Sequence, residues 1–265
     1  MENYKLCILA CGINIQPYLE NVLSNFSTIE TWFQETKIVL FENDSVDNTR
    51  EILTKWSNGT SKILLTEDNL ISKIPPRTER LAYIRNRLLD HIPTDYDYFM
   101  MVDIDDVFTH PVQKKSFESC FQVENWDIIT ANSYTKYYDI YALRIPNVID
   151  YDYWKRVNEL ILYKNYTFSR AFDECVTYFE QFMMNIKAPL YVDSAFNIAI
   201  IGKVKSLKPC CRYSSSVSNI PKKKLFKVVQ TNNNYISVYE CEHIAFNRCI
   251  RSHGGKILFH PDFKL

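Results

Sequence analysis

Three carboxylates within four residues, Asp103, Asp105 and Asp106, follow directly on the apolar run Tyr98-Phe99-Met100-Met101-Val102. Such a run reads as a strand buried on both faces of a sheet. Burying an ionised carboxylate costs several kcal/mol unless it is paired or bound to a metal, so clustered acids at a strand tip call for a cation. Asp103 and Asp105 are two residues apart and share one face of a continuing strand. An oxygen-only ligand set selects a hard ion, Mg²⁺ or Mn²⁺, which completes its shell with water and substrate phosphates. In open α/β sheets the ligand lies beyond the carboxyl ends of the strands, which is where this Asp-x-Asp falls. The competing interpretation is a polar loop or helix cap after a core strand.

Two further polar clusters stand at comparable places. The strand candidate Lys37-Ile38-Val39-Leu40-Phe41 is stopped by Glu42-Asn43-Asp44-Ser45-Val46-Asp47-Asn48-Thr49. Pro75-Pro76 precedes a helix over 77–90, with Leu81, Ile84 and Leu88 inward and Arg77, Arg80, Arg85 and Arg87 elsewhere. Guanidinium forks on such a helix suit phosphate; the alternative is a solvated charged face.

The elements that must position these groups alternate. Strand candidates at 6–12, 37–41, 62–65 and 96–103 are separated by helix candidates at 17–25, 49–56 and 77–90. That alternation predicts βαβ units and an α/β fold with a mainly parallel central sheet flanked by helices. Beyond residue 107 the order loosens into a smaller mixed or antiparallel part. Strands are expected at 127–132, 138–144, at two stretches within 189–201, at 235–241 and in the tail after Gly254-Gly255, with an aromatic-rich, helical or irregular segment over 151–185. The Lys run at 222–224 and the Asn run at 232–234 read as solvated positions. No domain boundary is visible, so a single domain over 1–265 is expected, with 1–107 as its nucleotide-binding half and 108–265 as its acceptor-side half.

Composition narrows the function classes. The 265 residues carry 31 basic and 31 acidic side chains, so no global field points to nucleic acid. Only 5 glycines occur and neither G-x-G-x-x-G nor G-x-x-x-x-G-K-[ST] is present, which argues against a Gly-rich phosphate cradle. None of the 8 cysteines forms a C-x-x-C pair, so a zinc ribbon is not expected and the thiols read as mostly reduced and buried. No run of 18 apolar residues suggests an integral membrane segment, and the N-terminus lacks the h-region of a signal peptide. A cytoplasmic location is therefore expected. Abundant Lys, Asn, Tyr and Ile with scarce Gly suits an AT-rich genome such as that of a giant virus.

Phe41-Glu42-Asn43-Asp44-Ser45-Val46-Asp47-Asn48-Thr49, Arg80-Leu81-Ala82-Tyr83-Ile84-Arg85-Asn86 and Val102-Asp103-Ile104-Asp105 together resemble the GT-A (Rossmann-like) glycosyltransferases. The branch that looks most similar includes fungal capsule-associated mannosyltransferases and glycosyltransferases of large DNA viruses. Val192-Asp193-Ser194-Ala195-Phe196-Asn197-Ile198-Ala199-Ile200 and Cys241-Glu242-His243-Ile244-Ala245-Phe246-Asn247 resemble that branch's C-terminal motifs, although a Gly-Gly is usual there near Asn197-Ile198.

The resemblance implies a metal-dependent transfer of sugar from a nucleoside diphosphate, UDP before GDP, to a hydroxyl on a glycan or glycoprotein. It implies Mn²⁺ or Mg²⁺ held by Asp103, Asp105 and His243, with His253 and His260 as competing ligands. Asp103 would also approach the donor ribose, and Asp44, Arg80, Arg85 and Asn86 would hold the nucleotide. Asp44 fits an Asx-turn or N-cap equally well. Asp193 is the nominated general base, against an ordinary strand-end Asp. The aromatic faces in 134–172 suit sugar rings or a core. The rival functions are a catalytically inactive glycan-binding or scaffold protein of the same fold, and a nucleotidyltransferase.

Overall fold

The computed structural model describes residues 1–215, 217–221 and 235–265. The first half runs β1 (Lys5–Gly12), α1 (Leu19–Glu30), β2 (Glu35–Asn43), α2 (Thr49–Trp56), β3 (Lys62–Glu67), the short α3 (Leu70–Lys73), α4 (Arg77–Leu89) and β4 (Tyr98–Asp103). The second half continues with α5 (Lys114–Gln122), β5 (Ile128–Asn132), α6 (Tyr153–Lys164), α7 (Phe168–Phe172), a π-helical turn (Asp173–Thr177), α8 (Tyr178–Asn185), β6 (Leu190–Val192) and β7 (Ala199–Lys203). It closes with β8 (Val217–Pro221), β9 (Tyr235–Tyr239), α9 (Glu242–Ser252) and β10 (Ile257–Lys264). The runs at 222–224 and 232–234 lie outside the described residues.

Eight strands form one sheet in the order β3-β2-β1-β4-β7-β5-β10-β6, and β8 and β9 form a separate antiparallel pair. β3, β2, β1 and β4 are parallel neighbours, as the βαβ alternation predicts. β7 then inserts antiparallel between β4 and β5, and the edge strand β6 is antiparallel to β10. Strands from both halves of the chain thus share one sheet. The expected strand over 138–144 is instead irregular with a 3-10 turn at Ile140–Ala142, because Asp139 caps that turn by accepting a hydrogen bond from the Ala142 N–H at 3.2 Å.

The continuous apolar runs are explained by helices on both sides. In β4, Phe99 and Met101 enter one core while Met100 and Val102 enter the other; in β1, Cys7 and Leu9 oppose Leu6, Ile8 and Ala10 in the same way. Two-sided burial of this kind removes alternation from the sequence and gives each strand apolar contacts on both faces.

The inserted strand needs a particular glycine. Gly202 is paired with Phe99 across β7 and β4, and a Cβ at 202 would lie 2.2 Å from Phe99 Cε1. Gly202→Ala should therefore cost about 1–3 kcal/mol through overpacking. Urea denaturation should show a smaller loss for the same change in a Phe99→Leu background; equal losses in both backgrounds would remove the ring as the cause.

Candidate active site

β1 lies between β2 and β4, so the chain reverses its direction of travel across the sheet at the β1–β4 boundary. Such a switch point opens a crevice beyond the strand ends. Here Cys11 of β1 is opposite Asp103 of β4. A cleft of about 130 Å³ opens there, and its walls include Asn43, Arg77, Arg80, Arg85, Asp103 and Asp105. The Cys11 thiol also faces it, with its pKa pushed up to about 11 by burial and so inert as a nucleophile.

Asp103 is held from three sides. Arg85 Nη2 donates to Oδ1 at 3.0 Å, the Tyr138 hydroxyl donates to Oδ2 at 3.0 Å, and the Asp103 N–H donates to Ile198 O at 2.9 Å. Tyr138 is itself fixed: its hydroxyl accepts from the Ile198 N–H at 3.2 Å, and its N–H donates to Asn197 Oδ1 at 3.0 Å. Ile198 makes this geometry at φ 69°, a left-handed conformation that is strained for a β-branched residue. The glycines usual near this position in the resembled branch would adopt it without strain.

Asp105 is different. Its carboxylate accepts only a long bond from the Val107 N–H, at 3.4 Å, and no basic side chain pairs with it among the described residues. Loss of hydration in the cleft, then the charge of Asp103, raises its pKa above the ordinary carboxylate value. A carboxylate strained by a like charge and open on one oxygen is suited to a divalent cation. With Asp103 it gives the one or two protein carboxylates that Mg²⁺ and Mn²⁺ take beside substrate phosphates.

Arg85 is 3% exposed, on the stripe of α4 that faces the core. Its Nη1 donates to Glu242 at the start of α9, and Nη2 to Asp103. Burial works to lower its pKa, but Asp103 together with the other acidic groups around it holds the guanidinium above its ordinary value. Arg80 Nη1 is committed to Ile74 O and Pro75 O at 2.8 and 3.1 Å. Arg77, in the first turn of α4, lines the cleft with no hydrogen bond or ion pair among the described residues. Of the three, Arg77, which is not among the nucleotide-holding residues implied by the resemblance, is the one left open to a ligand.

The remaining expected residues are dispersed. Asp44, at φ 55°, accepts from the Ile71 N–H at 2.8 Å and from Asn43 Nδ2 at 3.1 Å, and so caps α3. Partial burial works against its ionisation, but those bonds outweigh it and hold the carboxyl below its usual range. Asn86 uses its amide on Tyr213, donating to the carbonyl and accepting from the N–H, each at 2.8 Å, so it staples two segments.

Asp193, the expected base, pairs with Arg251 at 3.0 Å in a separate depression shared with Arg144 and Arg248. Asp193 does not line the Asp103 cleft. His243 does not line the cleft either. It is 1% exposed, stacked on Phe196 at 4.0 Å, with both ring nitrogens unpartnered and its Nε2 4.0 Å from Glu242 Oε1. Burial, then the charge of Arg85, holds its pKa well below 6.5, so it is a neutral core ring. His260 is likewise buried, on β10, and His253 stands at the end of α9.

Tyr138 and Glu242 are the site residues that spacing did not single out. The expected placement of Arg85 off the inward face is corrected, since it is buried with Ile84 and Leu88; its spacing of four from Leu81 was the missed signal, because a buried guanidinium requires a buried acid, here Glu242. In the aromatic segment Tyr137 is buried in the core and Tyr153 packs against it, whereas Tyr151 walls an open depression of about 740 Å³.

Asp139, close to Asp103, has its pKa raised to about 7, first by burial and then by the Asp103 charge. The folded state therefore binds one more proton than the unfolded chain between about pH 4 and 7, and its stability falls as pH rises across that window. Asp139→Asn removes this loss. The advantage of the variant over wild type in urea unfolding should grow by on the order of 1–3 kcal/mol from pH 5 to pH 8. A difference independent of pH would disprove the perturbed acid.

No protein-family model and no curated protein sequence matches the chain. Among solved structures it is similar to a mannosyltransferase, PcManGT from Pyrobaculum calidifontis, in complex with GDP-Man and Mn²⁺. The TM-score is 0.51 at 11% identity, over 100% of this chain and 56% of that one. Glucosyl-3-phosphoglycerate synthase from Mycobacterium tuberculosis, with Mn²⁺, UDP and phosphoglyceric acid, aligns at TM-score 0.43 and 11% identity over 77% of this chain and 57% of that one. S. aureus TarS aligns at TM-score 0.40 and 12% identity over 79% and 50%. The chain spans little more than half the length of the neighbours it matches. Among the described residues no helix is long and apolar enough to cross a membrane. The order and direction of the strands, with the match over the whole chain, identify the fold as GT-A.

Proposed function

We propose that this chain is a metal-dependent glycosyltransferase that moves a sugar from a nucleoside diphosphate, UDP or GDP, to a hydroxyl acceptor on a glycan or glycoprotein. The observation that carries the proposal is the Asp105 carboxylate, open and without a cationic partner, beside a clamped Asp103 at the switch point of a GT-A sheet. The mannosyltransferase with the same fold was determined with GDP-Man and Mn²⁺, which supports a nucleotide-sugar donor and that class of ion here.

Asp105 and Asp103 would hold Mn²⁺ or Mg²⁺. When bound, that ion supplies positive charge to the diphosphate leaving group as the sugar bond breaks. The chain's own contribution is positioning. Arg85 and Tyr138 fix both Asp103 oxygens, so the carboxylate meets its ligand without paying orientational entropy during the reaction. Arg77 presents an uncommitted guanidinium to phosphate oxygens.

Thermal unfolding with UDP, GDP and their sugar conjugates, with and without Mn²⁺, tests this. A nucleotide present at about a hundred times its Kd should raise the Tm by about 5 °C or more, and only with the metal. Asp105→Ala should abolish that rise and any sugar transfer while leaving the apo Tm near wild type. Arg77→Ala should weaken the nucleotide effect while metal dependence persists. Transfer activity retained by folded Asp105→Ala protein would eliminate the metal assignment.

A further inference from the structure

Away from the cleft, four side chains that bind soft metals converge. Cys210, Cys211, Cys249 and His253 place their ligand atoms within 4.8 Å of one another. Cys211 and Cys249 are joined as a disulfide in this structure, the exception to the expected free thiols. That bond accounts for two of the four residues. It leaves the Cys210 Sγ 3.8 Å from the Cys249 Sγ and 3.9 Å from His253 Nε2, with no role for either Cys210 or His253.

A tetrahedral ion accounts for all four. With Zn–S near 2.3 Å and Zn–N near 2.0–2.1 Å, the edges of such a site are about 3.5–3.8 Å, close to the separations seen. The histidine is also oriented for the task. Its Nδ1 lies 2.9 Å from the Cys249 carbonyl, which can only accept, so Nδ1 carries the proton and Nε2 is the bare nitrogen that faces Cys210. A ring N–H donated to a backbone carbonyl is the usual support for a zinc-ligating imidazole. Cys249 and His253 are four apart, in the last turn and at the cap of α9, so one helix end presents both toward the adjacent pair Cys210-Cys211.

We propose that Cys210, Cys211, Cys249 and His253 form a structural zinc site, for which the disulfide is the oxidised, metal-free arrangement of the same atoms. Conversion balances with a phosphine as reductant. The phosphine takes oxygen from water to become its oxide, the S–S bond gains two electrons and two protons, and Zn²⁺ then releases the three thiol protons to solvent. The ion ties the segment that delivers Tyr213 to Asn86 onto α9, whose other end carries Glu242. It is separate from the cleft cation in ligand type, thiolate and imidazole against carboxylate.

The full chain, purified with a phosphine and one equivalent of Zn²⁺ and then desalted, should retain about one zinc per chain by elemental mass spectrometry. Cobalt(II) in its place should give the charge-transfer and ligand-field bands of a tetrahedral thiolate site. Cys210→Ser and His253→Gln leave both disulfide cysteines intact, yet each should weaken zinc binding by at least about tenfold. Asp105→Ala should retain the zinc, which separates this site from the cleft. Reduced wild-type protein that takes up no zinc, or full retention in both ligand variants with their helical circular dichroism unchanged, would overturn the site and leave a plain disulfide with two bystanders.

Discussion

A single buried guanidinium joins the two halves of this molecule. Arg85 comes from α4 in the first half, Asp103 from the strand that follows it, and Glu242 from a helix 157 residues later than Arg85. Removing such a charge from water costs several kcal/mol, and only close carboxylates return it. The ion therefore does not tolerate a fold in which α9 docks elsewhere. The Phe196 ring, with its centroid 5.3 Å from the guanidinium carbon, adds a π face to one side, so strand-end and helix-start motifs of the C-terminal half are fixed by the same group.

That constraint also sets the electrostatics of the cleft. Asp103, Asp105 and Glu242 are opposed by Arg77, Arg80 and Arg85, with Asp139 a further acid close to Asp103. The opposition is not local, however. Arg85 is shared by two acids, Arg80 is turned to backbone carbonyls, and Asp105 has no cation beside it. A diphosphate entering alone would add negative charge next to an unpaired carboxylate, and like charges in a partly dehydrated cleft repel strongly. A divalent ion between the two removes both penalties, which is the physical reason for ion and nucleotide to enter such a site together.

The sequence disclosed what depends on neighbours along the chain. Strand tips ending in acids, the helix over 49–56 with its inward Leu53, and the βαβ alternation all come from local pattern, and the structure has them. What it concealed depends on partners far away. The ion pair that Asp193 makes is with Arg251, 58 residues on. Asn86 and Asp44 look the same in sequence whether they hold a ligand or a backbone, and here each holds a backbone. A mixed or antiparallel C-terminal part was expected, but the insertion of β7 between β4 and β5 was hidden, because a strand buried on both faces does not reveal its neighbours.

His243 shows why motif order carried the fold further than the site. The Cys241-Glu242-His243 stretch does reach the cleft's surroundings, but through the glutamate, whose carboxylate meets Arg85, while the imidazole turns into the core against Phe196. Adjacent residues at the start of a helix point about 100° apart, so Glu242 meets the guanidinium directly while His243 stands behind it, with Nε2 4.0 Å from the Glu242 Oε1. With Arg85 already buried there, the face nearest it could accept a negative group and not a second cation. The same charge that anchors Asp103 thus selects which side of α9 faces the site, and it leaves Asp105, at the open end of β4, as the acid able to receive a metal from solvent.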